Sequence, residues 1–199
     1  MSYHKKLLEE LLISRNGLEV DSIHFVSDEI YHKDEKEKLI AIGKGTFEPI
    51  RFSIKGLQYP EGMGTKSSCN MRGANICYRN GLAIVNVILL PYEKFPQTDV
   101  NSMLQLCALL HELGHVEDMQ KEINFSFLEI PTVRLVEAEV YAHIYTLNHL
   151  KRMGAIDARN IVASALYKYK DSANIFEKSL YKEISNSIGR GRIKKWVRS

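Results

Sequence analysis

Leu110-His111-Glu112-Leu113-Gly114-His115 is the stretch on which the reading of this chain turns. Histidines four residues apart lie on one face of an α-helix, one turn apart, so both imidazoles can point at a single metal ion. Glu112 sits about 100° round the helix from His111. That places a carboxylate within reach of a water on the ion without making it a ligand. Two ligands and a proton acceptor on one helix are the parts of metal-assisted hydrolysis.

Around the motif, Val100, Met103, Leu104, Leu106, Cys107, Leu109, Leu110 and Leu113 cover more than one helical stripe. The spacing predicts a long helix, capped near Thr98 or Asp99 and buried on most sides. Gly114 costs that helix ~1 kcal/mol of propensity. Its expected use is to let another backbone or a substrate come close.

A catalytic zinc site usually takes a third protein ligand. The extended pattern H-E-x-x-H-x-x-G-x-x-H fails, because Asp118 and Lys121 stand where Gly and His are required. The next helical stretch offers Glu137 and Glu139 in Val136-Glu137-Ala138-Glu139-Val140-Tyr141-Ala142-His143. Glu139 and His143 are i and i+4, so a ligand carboxylate and a hydrogen-bonding neighbour share a face. Glu137 lies about 200° away from Glu139.

Glu139-Val140-Tyr141-Ala142-His143 resembles the E-x-x-A-[D/H] signature of metallopeptidases whose third zinc ligand is a glutamate, with His where Asp is commoner. Over about residues 82–150 the chain is most similar to small bacterial and phage ImmA/IrrE-like peptidases of the gluzincin type. The resemblance implies Zn2+ held by His111, His115 and Glu139, with Glu112 as the catalytic acid–base. It implies His143 beside a ligand histidine, and it implies that strand 82–90 is a sheet edge above the cleft, where an extended peptide could add as a strand. The fold expected is α+β and zincin-like, with a small mostly antiparallel sheet, an active-site helix and a helical C-terminal half. Tyr141, Tyr145, His143, His149 and Arg134 are all available to stabilise an oxyanion, and the sequence does not choose among them.

The rest of the chain fits one domain over residues 1–188 followed by a basic tail over 189–199. An amphipathic helix is predicted over 3–15, with Leu7, Leu8, Leu11 and Leu12 on its core side. Leu18–Val20, Ile23–Val26 and Ile50–Ile54 read as strand material, Leu39–Gly43 is apolar and bounded by glycine, and residues 59–75, rich in Gly, Ser, Pro and Asn, read as a loop. Asn80-Gly81 joins two β-prone runs as a hairpin turn. Further helices are predicted from Pro131 to Gly154, over 157–170 and over 174–188. No apolar run approaches the ~20 residues of a membrane span. With no signal-peptide pattern and three cysteines (Cys69, Cys77, Cys107), a cytoplasmic setting is expected. Secretion by a signal-independent route stays open, as does a small Cys69–Cys77 disulfide loop.

Net charge is +3, but Arg190, Arg192, Lys194, Lys195 and Arg198 all lie in the tail, and without them the remainder carries −2. The body is therefore no basic nucleic-acid-binding domain. A solvated end is the simplest reading of the tail, which weighs against a nucleic-acid partner. The leading expectation is a zinc metallopeptidase acting on a protein or peptide substrate. The other is a regulatory zinc-binding module that reaches nucleic acid or a protein partner through its tail.

Overall fold

The structure is a computed structural model and describes residues 2–27, 74–80, 83–92, 99–124, 135–189 and 191–198. Its centre is α2 (Asp99–Gln120). Leu106, Cys107, Leu109, Leu110, Leu113 and Val116 of this helix are all fully buried. A helix apolar on several sides needs neighbours on several sides. It has them in α1 (Tyr3–Ser14), α3 (Leu135–Arg152), α4 (Ile156–Tyr169) and strands β2 (Ala74–Asn80) and β3 (Ala83–Tyr92).

Helix α1 starts where Ser2 Oγ accepts from the Lys5 amide. It ends in the left-handed Arg15, whose N–H bonds the Leu11 carbonyl. Leu8 and Leu11 are buried, as their spacing predicts. His4 is also buried and its Nδ1 lies 2.9 Å from Asp99 Oδ2, while the Tyr3 hydroxyl donates to the Met153 carbonyl at 2.6 Å. The first helix is thus tied to the start of α2 and the end of α3.

Three strands form one sheet in the order β1-β3-β2, where β1 is Ser22–Ser27. β2 runs antiparallel to β3, pairing Ala74 with Leu89 and Asn80 with Ala83. β1 runs parallel to it, pairing Ser22 with Val87 and Ser27 with Tyr92. Asn86, Ile88 and Leu90, each two residues from the next, are buried, as residues on one face of a strand against a core would be.

Two expectations are corrected. The α+β, zincin-like fold with a mostly antiparallel sheet does not hold: the described residues are mostly helical. The sheet is a minor element of three strands with mixed pairing. Nor is strand 82–90 a sheet edge, because β3 is hydrogen-bonded on both sides. Alternating hydrophobicity marks a strand but does not name its partners, and β1 joins β3 from far away in sequence. The apolar run at 39–43, the strand material at 50–54, the 59–75 loop as far as residue 73, Cys69, Arg134 and the start of the Pro131 helix lie outside the described residues.

In the C-terminal half, α4 and α5 (Ile175–Ile188) pack on α3 and on each other, and α6 (Arg192–Val197) packs on α4 and α5. Asn174 caps α5, its Oδ1 accepting from the Phe176 amide at 2.9 Å. Residues 192–197 do not form the solvated end read from their charge. Ile193 is 1% exposed, and the Arg159 guanidinium of α4 lies 4.9 Å from the Trp196 ring centre. Two apolar side chains within the basic run are enough to dock it. Among the described residues, no helix is long and apolar enough to cross a membrane.

Candidate metal centre

Helices α2 and α3 meet where Gly114 faces Ala142. A Cβ built on Gly114 would lie 2.8 Å from Ala142 Cα and 3.2 Å from the Ala142 carbonyl oxygen. Real Cβ atoms do not approach backbone so closely, so glycine permits this helix separation. The contact sets His111 and His115, on either side of Gly114 in the sequence, opposite Glu139.

The Nε2 atoms of His111 and His115 lie 3.2 Å apart. The Glu139 carboxylate faces both, with Oε2 3.3 Å from His111 Nε2 and Oε1 3.4 Å from His115 Nε2. These three side chains could hold a metal ion. Their exposures, 15% for each histidine and 19% for Glu139, leave the cluster reachable from solvent. Glu137, the other candidate ligand, is exposed and apart from the group.

Within the group, the Glu139 carboxylate and the His115 imidazole shift one another's protonation in opposite directions. Burial alone would pull His115 down. The charge and hydrogen bond of Glu139, helped by Glu112 and Asp118, outweigh it and raise His115 to about 9. Burial would likewise push Glu139 up, but His115 and the hydrogen bonds from both histidines hold it well below the usual carboxylate range. Without a metal, a proton on His115 supplies the positive charge between carboxylate and imidazoles. His111 Nδ1 is buried with no hydrogen-bond partner.

His143 joins the group from α3. Its Nδ1 lies 2.8 Å from the Glu139 carbonyl oxygen, which can only accept, so Nδ1 carries the proton and Nε2 the lone pair. Its ring meets that of His111 edge-on at 4.5 Å. Burial, reinforced by His111, lowers His143 to about 4, so the ring is neutral at neutral pH. Glu112 is buried at 5% exposure, and its charge acts on His115.

The two tyrosines are engaged elsewhere. The Tyr145 hydroxyl accepts from Asn16 Nδ2 at 2.8 Å, and its ring stacks on His149 at 4.1 Å. Tyr141 is raised to about 12 by burial and by its hydrogen-bonded neighbour Glu117. Of the oxyanion candidates among the described residues, His143 is the one in contact with the ligand group.

Asp118, which the sequence marked only as a failed extension of the motif, has its own task. It is fully buried and accepts from the Asn124 amide at 2.7 Å and from Asn124 Nδ2 at 3.1 Å. It thereby closes the turn that ends α2. Its i+3 spacing from His115 was the visible signal for its position on the ligand-bearing side of the helix.

Compared with protein-family models, curated proteins and solved structures, the chain matches none of them.

Proposed function

We propose that this protein is a zinc-dependent peptidase of the glutamate-ligand type, with His111, His115 and Glu139 as ligands and Glu112 as its acid–base. The observation that carries the reading is the convergence of the His111 and His115 Nε2 atoms, 3.2 Å apart, on the Glu139 carboxylate, whose Oε2 lies 3.3 Å from one and whose Oε1 lies 3.4 Å from the other. Two imidazoles and one carboxylate, with a fourth position left for water, are a donor set of catalytic zinc.

Bound zinc would supply Lewis acidity, polarising a carbonyl oxygen and acidifying a water. The chain supplies the rest. Glu112, one residue after the first ligand, accepts the water's proton on its carboxylate and passes it to the leaving nitrogen. Its burial keeps bulk water from competing for that proton. Glu139 would offset part of the charge of a bound ion, and His143 buttresses the His111 ring. A peptide bond as the scissile group is supported by the Glu139–His143 likeness to metallopeptidases.

The test is metal content together with Glu112→Gln. The purified chain should bind one zinc, and the variant should keep the metal while casein hydrolysis falls by 100-fold or more. A wild-type chain that takes up no zinc overturns the reading, as does a Glu112→Gln variant of undiminished activity.

A further inference from the structure

The basic run at the C-terminus is organised by the fold. At about 100° per residue, Ile193, Trp196 and Val197 gather on one side of α6. Arg192, Lys194, Lys195 and Arg198 take the remainder of its circumference. Most of the apolar arc is committed: Ile193 is buried and Trp196 lies against the core with Arg159 over its ring, which leaves Val197 at 37% exposure. Arg192, Lys194, Lys195 and Arg198 are all exposed. Lys194, Lys195 and Arg198 line one open recess with Gly191.

From residue 192 to 198 the helical rise is about 9 Å. That is close to one Debye length at 0.1 M salt, about 10 Å, so the four charges act together on one polyanion. We propose that this face of α6 binds the phosphodiester backbone of nucleic acid without reading its sequence. A duplex carries one negative charge per about 1.7 Å, so each cation along the helix finds a phosphate without a matched partner. A helix that binds bilayers lays an apolar face into the headgroup boundary, and of the apolar arc of α6 only Val197 is left exposed, because Ile193 and Trp196 pack against the core. The inference is independent of the peptidase reading.

The experiment uses the full chain and fluorescein-labelled 20-base-pair DNA, with binding followed by anisotropy from 50 to 200 mM KCl. Four phosphate contacts give a log–log slope of about −3.6 and a weakening of roughly 100-fold across that range. Lys194→Gln/Lys195→Gln/Arg198→Gln, which keeps Ile193 and Trp196, should bring the slope to about −1 and weaken binding more than tenfold at 50 mM. Lys194→Arg/Lys195→Arg should bind as the unaltered chain does. If the triple variant does not melt cooperatively, Lys194→Gln and Arg198→Gln singly should each reduce the slope by about 1. A flat salt dependence overturns the proposal, as do charge-removal variants with an unchanged slope. Equal binding to polyglutamate, or to vesicles of phosphatidylserine and phosphatidylcholine, also overturns it.

Discussion

Gly114→Ala puts the helix contact beneath the candidate metal centre under direct strain. The new Cβ would meet Ala142 Cα at 2.8 Å and Tyr145 Cβ at 3.2 Å. Carbon atoms at rest sit about 3.5–4.0 Å apart, so α2 and α3 must separate or slide by about 0.7–1.2 Å. The obstacle is backbone, which cannot rotate away. Overpacking of this kind costs about 1–3 kcal/mol, and the better helix propensity of alanine returns about 1 kcal/mol. The metal-free variant should therefore lose only about 0–2 kcal/mol. Metal binding should suffer more, because ligand distances tolerate only about 0.2 Å and the ligands are divided between the two helices. Zinc affinity, read by competition with a chromophoric chelator, should fall at least tenfold. At saturating zinc that removes about 1.4 kcal/mol of the stabilisation the ion gives, visible as a smaller rise in melting temperature. A Gly114→Ala chain that binds zinc as tightly as before, and melts no lower with it, would refute the reasoning.

Three other outcomes follow from the same geometry. In chelator, stability should peak near pH 6.5. His115, raised to about 9, contributes stability that is complete below 6.5 and lost as pH rises towards 9. His143, lowered to about 4, costs stability as pH falls from 6.5 to 4, with Glu139 adding to that loss below 4.5. Each limb should slope by roughly 1.4 kcal/mol per pH unit at most, and urea midpoints unchanged from pH 6.5 to 9 would contradict the His115–Glu139 pair. Glu139→Gln should weaken zinc binding at least 100-fold while Glu137→Gln leaves it intact, and isothermal titration of the two variants separates the candidates directly. Asp118→Ala strands the Asn124 amide and should cost about 1–3 kcal/mol by thermal melt.

How far the sequence could be read depends on which interactions are local. α1 and α2 follow from apolar spacing, and Glu139 follows from its i+4 partner His143, because helix periodicity fixes a face within one turn. Gly114 marked a close approach that the Ala142 contact supplies. The sheet was not legible in the same way. Strand period says nothing of partner or direction, so the parallel pairing of Ser22–Ser27 with β3 and the central place of β3 were hidden. Tyr145 looked available for chemistry because its partner Asn16 lies 129 residues away. The tail looked like a solvated end because its charge outnumbers the two apolar residues, Ile193 and Trp196, that dock it.

The placement of the ligands also bears on the order in which the chain can assemble. His111 and Glu139 belong to α2 and α3, which follow one another directly among the described elements. By contrast, His24 pairs with Leu89 from the other end of a long stretch of chain, and Tyr3 reaches beyond the end of α3 to Met153. The loop that joins His24 to Leu89 is more than twice as long as the one that joins His111 to Glu139. Closing it costs about 0.7 kcal/mol more, and distant pairings form slowly. A nascent α2–α3 hairpin can therefore gather the metal-binding group before the sheet is complete, and an ion captured there would hold the two helices together while α1 and β1 find their places.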